Sequence, residues 1–160
     1  MAIIDAVVNF RRWLKRRNCS AHTVRNYLST LRHFVLWLAV PIEAVDPRTV
    51  AEFIDRLIGK RLHPKTINCY LDSVRSFYNY LINEEQVKVP NPVKRGYLLR
   101  LPRPLPRHLR DEQVPRLFGV IHSKRDRAMF MLMLRCGLRV EEVARLTLPA
   151  LDLPRSQLFV

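Results

Sequence analysis

Acidic residues are in short supply here: fourteen Asp and Glu stand against 28 Lys and Arg in 160 residues, a formal net charge of +14. Glycine is also scarce, at four, while the eleven prolines follow no repeat, so the chain is not a low-complexity or collagen-like sequence. No apolar run reaches 18 residues, which predicts no membrane span. The first residues, Met1-Ala2-Ile3-Ile4-Asp5, lack the basic and apolar segments of a secretion signal. Three cysteines, Cys19, Cys69 and Cys136, are odd in number and far apart. They form no Cys-x-x-Cys or Cys/His pattern, so they read as reduced thiols of a cytoplasmic protein with no metal site. What remains is a chain that is 48% hydrophobic, enough to pack one domain or two small ones, and strongly basic. Such a charge excess points first to nucleic acid and second to an anionic membrane surface.

Apolar spacings of three and four predict a first helix over 3–17, through Ile3, Ile4, Val7, Phe10 and Leu14. Ser20 is a natural N-cap for a second helix over 21–39, whose apolar stripe runs Val24, Tyr27, Leu28, Leu31, Phe34, Val35, Leu38. Asp46-Pro47 opens a third helix that reaches Ile58, with Gly59 as its stop, and a fourth spans 64–83.

The two halves of this region align without a gap at an offset of 43: Phe10 with Phe53, Leu14 with Leu57, Thr23 with Thr66, Tyr27 with Tyr70, Arg32 with Arg75, Phe34 with Phe77. Each half is therefore a helical hairpin, and two hairpins facing through their stripes make a four-helix unit. The tyrosines and phenylalanines of the stripe belong to its core. Off the stripe lie Thr23, Arg25, Asn26 and Arg32 on the second helix and Lys65, Thr66, Asn68 and Arg75 on the fourth. These side chains suit contacts to phosphates and base edges in a major groove; the alternative is an ordinary solvated face. Residues 1–82 hold thirteen Lys/Arg against six Asp/Glu, which favours DNA.

Residues 86–110 carry five prolines, seven basic residues and no acid. Regular helix is precluded there. A stiff basic segment suits a strap along a phosphate backbone, bearing Lys94, Arg95, Arg103 and Arg107, or else a solvated linker. Beyond it, one helix runs from Asp111 to about Ile121. A second, from Arg125 to Leu134, is apolar nearly all round and is expected to be buried. Gly137 then breaks the chain before a third helix with Arg139 in its first turn. An arginine beside a tight turn at a helix start is placed to fork two oxygens of one phosphate, or is simply solvated. Leu158-Phe159-Val160 reads as one strand.

These segments carry a resemblance. Leu109-x-Asp111-Glu112, Arg125-Asp126-Arg127-Ala128, Gly137-Leu138-Arg139-x-x-Glu142 and Leu146-x-Leu148-x-x-Leu151-Asp152, in that order, resemble the start of the catalytic domain of tyrosine recombinases, the phage-integrase and Xer-like family. Thr23/Tyr27/Leu31/Phe34 and Thr66/Tyr70/Val74/Phe77 resemble its SAM-like core-binding domain. The resemblance implies a mainly α architecture. It comprises a four-helix core-binding domain over 1–86, a basic Pro-rich linker over 87–107, and the first helices and first strand of a mixed α+β catalytic domain over 108–160. It further implies site-specific recombination or integration of double-stranded DNA without metal or nucleotide cofactor, by protomers that form a tetramer on DNA in a bacterial cytoplasm. Arg139 would bind the scissile phosphate, and Glu142 would help orient it. Cys136 stands where the family usually has Thr. The family's later lysine, His-x-x-Arg helix and nucleophilic tyrosine have no match in these 160 residues, and Tyr27, Tyr70, Tyr78, Tyr80 and Tyr97 all precede the catalytic segment. DNA binding without cleavage is thus expected of this stretch. A non-catalytic DNA-binding regulator or decayed short integrase, and a helical protein-interaction module, remain as alternatives.

Overall fold

The computed structural model describes residues 3–102, 108–152 and 154–159. The chain divides into two compact units, Met1–Arg103 and Pro104–Val160.

The first unit holds four α-helices: α1 (Ile3–Arg16), α2 (Ala21–Trp37), α3 (Pro47–Gly59) and α4 (Pro64–Asn83). Their ends follow from local chemistry. The Ser20 hydroxyl accepts from the Thr23 amide at 3.1 Å, and Asp46 accepts from the Thr49 amide at 2.7 Å, so each caps a helix whose first amides have no intrahelical partner. Pro47 and Pro64 sit in the first turns of α3 and α4, where no amide is missed. α3 ends at Gly59, as expected, but Gly59 does not make the turn. The reversal comes two residues later, at Arg61, which takes a left-handed φ of 55°. Asn18, 43 residues earlier, does the same after α1 at 56°. In both turns the next amide reaches back five residues to the helix, Cys19 to the Leu14 carbonyl at 3.2 Å and Leu62 to the Leu57 carbonyl at 3.4 Å.

The internal repeat is thus present in backbone as well as in sequence, and its packing is reciprocal. Phe10 on α1 meets Phe77 on α4 edge-to-face at 5.5 Å, and Phe53 on α3 meets Phe34 on α2 edge-to-face at 5.1 Å. Phe10 with Tyr80, at 5.5 Å, and Phe53 with Trp37, at 5.1 Å, repeat the exchange. Each hairpin inserts its short-helix phenylalanine beside the long helix of the other, which is the signature of two-fold pseudosymmetry. At the crossing of α2 and α4 the equivalent residues Thr30 and Ser73 share a hydroxyl hydrogen bond of 2.5 Å. A residue that touches its own repeat counterpart lies on the pseudodyad.

Residues 87–99 belong to this unit. Val93 is buried, and Val87, Val89, Tyr97, Leu98 and Leu99 pack against the helical core. The prolines of this stretch preclude regular helix, and its apolar residues anchor it as irregular backbone with one 3-10 turn, Arg95–Tyr97.

In the second unit, α5 (Gln113–Gly119), α6 (Lys124–Cys136) and α7 (Val140–Ala144) precede a short antiparallel hairpin. Strand β1 (Leu151–Asp152) pairs with β2 (Gln157–Leu158), with Leu151 opposite Leu158. The single expected strand therefore has a partner, with Leu158 facing Leu151 seven positions upstream. The expectation that α6 is buried is not met. It has no fully buried residue, and Phe130, Met131 and Leu134 are each about 40% exposed. A helix apolar all round needs neighbours on every side. Among the described residues of this unit, α5, α7 and a two-residue-per-strand hairpin cover only part of it.

The reciprocal packing predicts that Phe10→Ala and Phe53→Ala lower the stability of the first unit by similar amounts, about 3–5 kcal/mol each, in urea unfolding. Arg61→Gly should raise it by about 1 kcal/mol, because glycine adopts the left-handed turn without a Cβ penalty.

Candidate functional site

The outer faces of α2 and α4 present the first group of polar residues. Arg25 and Arg32 are exposed and two helical turns apart, so they project from one side of α2. Asn26 is exposed, and its side-chain amide lies 3.0 Å from His22 Nε2, one turn away. Thr23 is half-buried, its hydroxyl 2.9 Å from that of Ser20. On α4, Lys65 and Thr66 are exposed in the first turn, and their amides donate to His63 Nδ1 and the His63 carbonyl. Lys94 and Arg95 are exposed where the strap makes a 3-10 turn. Arg103 and Arg107 lie outside the described residues.

Asn68 and Arg75 are engaged otherwise than the helical spacing suggests. Both are half-buried. The Asn68 side chain donates to the Leu99 carbonyl at 3.0 Å and accepts from the Leu99 amide at 2.9 Å, a two-point clamp on the strap. Arg75 Nε donates to the Val93 carbonyl at 3.2 Å, and its buried Nη2 has no partner among the described residues. Asn91 completes the junction by donating to the Arg75 carbonyl at 2.9 Å while accepting from the Val93 amide at 3.0 Å. Irregular backbone laid on a helix leaves its own N–H and C=O groups unpaired, and these side chains satisfy them. A sequence pattern that scores helix faces cannot see that demand, because the bonded strap residues lie 16 to 31 positions away in the chain. Lys94 and Arg95, by contrast, are presented from a segment held fixed at both Val93 and Leu99.

The second group surrounds Arg139. Gly137 closes α6 in the left-handed conformation, φ 67°. Nothing lies within 4 Å of where its Cβ would be, so the backbone angle and not space calls for glycine. The chain then turns so that Arg139 is the N-cap of α7. An arginine has no side-chain acceptor, so it cannot cap in the usual way. Glu142 does the work from the other side: one carboxylate oxygen accepts from the Arg139 amide at 2.7 Å and the other from its Nη1 at 2.8 Å. This is the reciprocal half of a capping box. With only five residues, α7 contributes little macrodipole. Any grip on an anion rests on the guanidinium, which Glu142 holds by one corner while its side chain remains 83% exposed. The pair opens onto a cleft of about 470 Å³ with Arg145 and Thr147 also on its wall. Arg145 lies 3.7 Å from Glu141 on the exposed side of α7.

The Arg139 amide, and then its guanidinium, hold the Glu142 carboxyl below the usual glutamate range. A depressed folded value means that this interaction stabilises above the unfolded glutamate value of about 4.3 and is lost as pH falls through the folded value. A carboxyl-detected NMR titration should place Glu142 below the ordinary glutamate value of about 4.3, and Arg139→Ala should move it back toward that value. Asn68→Ala should make the 87–102 strap more susceptible to limited proteolysis while leaving the helices intact by circular dichroism.

Among the described residues no group of three or more His, Cys, Asp or Glu could hold a metal ion, and no helix is long and apolar enough to cross a membrane. Residues 7–85 match the family model of the phage integrase N-terminal SAM-like domain, and residues 107–160 that of the phage integrase family. The chain is 31% identical over 160 residues to a tyrosine recombinase XerC from Thermodesulfovibrio yellowstonii, covering 96% of this chain and 53% of that protein. In solved structures it resembles an integrase from mycobacterium phage Brujita, with a TM-score of 0.56 and 26% identity, over 92% of this chain and 50% of the other. A XerA recombinase, at 19% identity and a TM-score of 0.50 over 95% of this chain and 52% of that one, shares the fold. The chain spans about half the length of the relatives it matches. Two consecutive domain models of one family, and the basic helical faces and Arg139–Glu142 pair found within them, place this chain in the phage-integrase family of tyrosine recombinases.

Proposed function

We propose that these 160 residues bind double-stranded DNA and supply the scissile-phosphate arginine of a site-specific tyrosine recombinase. The observation that carries this reading is Arg139: an exposed guanidinium, steadied at one corner by Glu142, facing a cleft in the segment that matches the integrase family. Its other N–H groups have the fork geometry that takes two non-bridging phosphate oxygens. Charge on those oxygens grows as a phosphoryl group is transferred, so a fixed guanidinium there lowers the barrier. Glu142 is a positioning residue in this scheme, acting through Arg139.

In the parent reaction a tyrosine oxygen bonds to phosphorus and displaces the 5′-oxygen of the DNA, leaving a 3′-phosphotyrosyl link. A 5′-hydroxyl then attacks phosphorus and releases the tyrosine. No tyrosine of this chain suits that role. All five lie in the first unit, and Tyr78 is buried with its hydroxyl donating to the Ile42 carbonyl at 2.8 Å. Burial pushes the phenols of Tyr78 and Tyr80 upward, away from the phenolate. The DNA grip falls to α2, α4 and the strap, through Arg25, Asn26, Arg32, Lys65, Thr66, Lys94 and Arg95. Further protomers would assemble around the same duplex in a bacterial cytoplasm.

With a supercoiled plasmid the chain should form complexes without nicks or covalent adducts. The logarithm of its affinity for duplex DNA should fall linearly with the logarithm of salt concentration. Arg25→Ala and Arg32→Ala should each weaken binding evenly across sequences and reduce the salt slope by about one. Salt-independent binding, or covalent trapping by this chain, would sink the reading.

A further inference from the structure

Between α2 and α4, over the Thr30–Ser73 hydroxyl pair, runs an open groove of about 350 Å³. Its walls are Thr23, Asn26 and Ser29 on one side and Cys69 and Asp72 on the other. Among the described residues Asp72 is the single charged one that lines it, and its side chain is 56% exposed. An acid is out of place on a surface that takes phosphates, since like charges repel. The same unit exposes cations that suit the backbone of DNA, Arg25, Arg32, Lys65, Lys94 and Arg95.

Resting on the DNA-binding reading above, we infer that Asp72 reads a base and not the backbone, and that the base is cytosine. A carboxylate only accepts hydrogen bonds. In the major groove the exocyclic donors are cytosine N4 and adenine N6, and adenine sets its N7 acceptor beside N6, where it would face the carboxylate's negative charge. Cytosine offers the donor without that neighbour. The carboxylate is also held in place. Arg75 Nη1 lies 3.8 Å from its Oδ1, and Arg75 is itself tied through Nε to the Val93 carbonyl of the strap.

The pseudosymmetry adds a second consequence. The repeat counterpart of Asp72, 43 residues earlier, is Ser29 on the opposite wall. Serine pairs with donors or acceptors alike, whereas aspartate does not. The two hairpins already differ on this face, since Arg75 and Asn68 bond the strap where Arg32 and Arg25 are solvated. Asp72 opposite Ser29 adds to that asymmetry a difference in base reading, so the cytosine contact belongs to one hairpin only.

Selection of the full chain against a library of randomised duplexes, followed by sequencing, tests this. Wild type should enrich cytosine about tenfold at one position, in one orientation relative to the rest of the site. Asp72→Asn should move the preference to adenine, because an amide pairs with N6 and N7 together. Asp72→Ser should flatten the preference at that position, because serine pairs with donors or acceptors alike. Unchanged thermal midpoints would separate these effects from unfolding. Identical profiles for wild type and Asp72→Asn, or salt-dependent binding with no enriched position, would overturn the assignment while leaving DNA binding intact. Absence of any salt-dependent binding would overturn the DNA-binding reading itself.

Discussion

The reciprocal insertion of phenylalanines across a pseudodyad is the constraint on which the first unit depends. Phe10 and Phe53 each come from a short helix, and each finds its edge-to-face partner on the long helix of the other hairpin. Neither hairpin can bury its stripe alone, so the two fold as one body. The exchange brings α2 and α4 together along their length and leaves their polar faces on the outside. The groove, its two walls and the seat of the strap all follow from that crossing. Thr30 and Ser73, small enough to meet at the axis, let the two helices approach closely.

Pseudosymmetry makes the departures from it informative. Arg32 stays exposed on α2, while its counterpart Arg75 turns inward to hold the Val93 carbonyl. Asn68 clamps Leu99 where its counterpart, Arg25, is solvated. One hairpin thus keeps its outer face open, and the other gives part of its face to a basic strap. The strap's cations are thereby carried on a fixed edge of the unit. This costs α4 two potential DNA contacts and fixes Lys94 and Arg95 in exchange.

Around Arg139 the organising interaction is smaller but similar in kind. Glu142 occupies both the backbone amide and one nitrogen of the side chain, so a single carboxylate sets where the residue begins its helix and where its guanidinium points. The exposed apolar surface of α6 belongs to the same unit and reflects how few elements cover it there.

Much of this was legible from the chain alone. Helices α1 to α4 and the caps at Ser20 and Asp46 follow from local spacing and local hydrogen-bonding chemistry. So does the offset of 43, because a repeat is a property of order along the chain. The motif around Arg139 was legible for the same reason, since Gly137, Arg139 and Glu142 are neighbours. Only the tertiary structure decided that Arg61 and not Gly59 makes the turn after α3, that α6 is left half-open, and that Leu158 pairs with Leu151. It alone withdrew Asn68 and Arg75 from the outer face and placed Asp72 opposite Ser29. Helical period says which side of a helix a residue is on. Whether that side meets solvent, a strap or a facing helix depends on contacts between residues distant in sequence, and no local pattern encodes those.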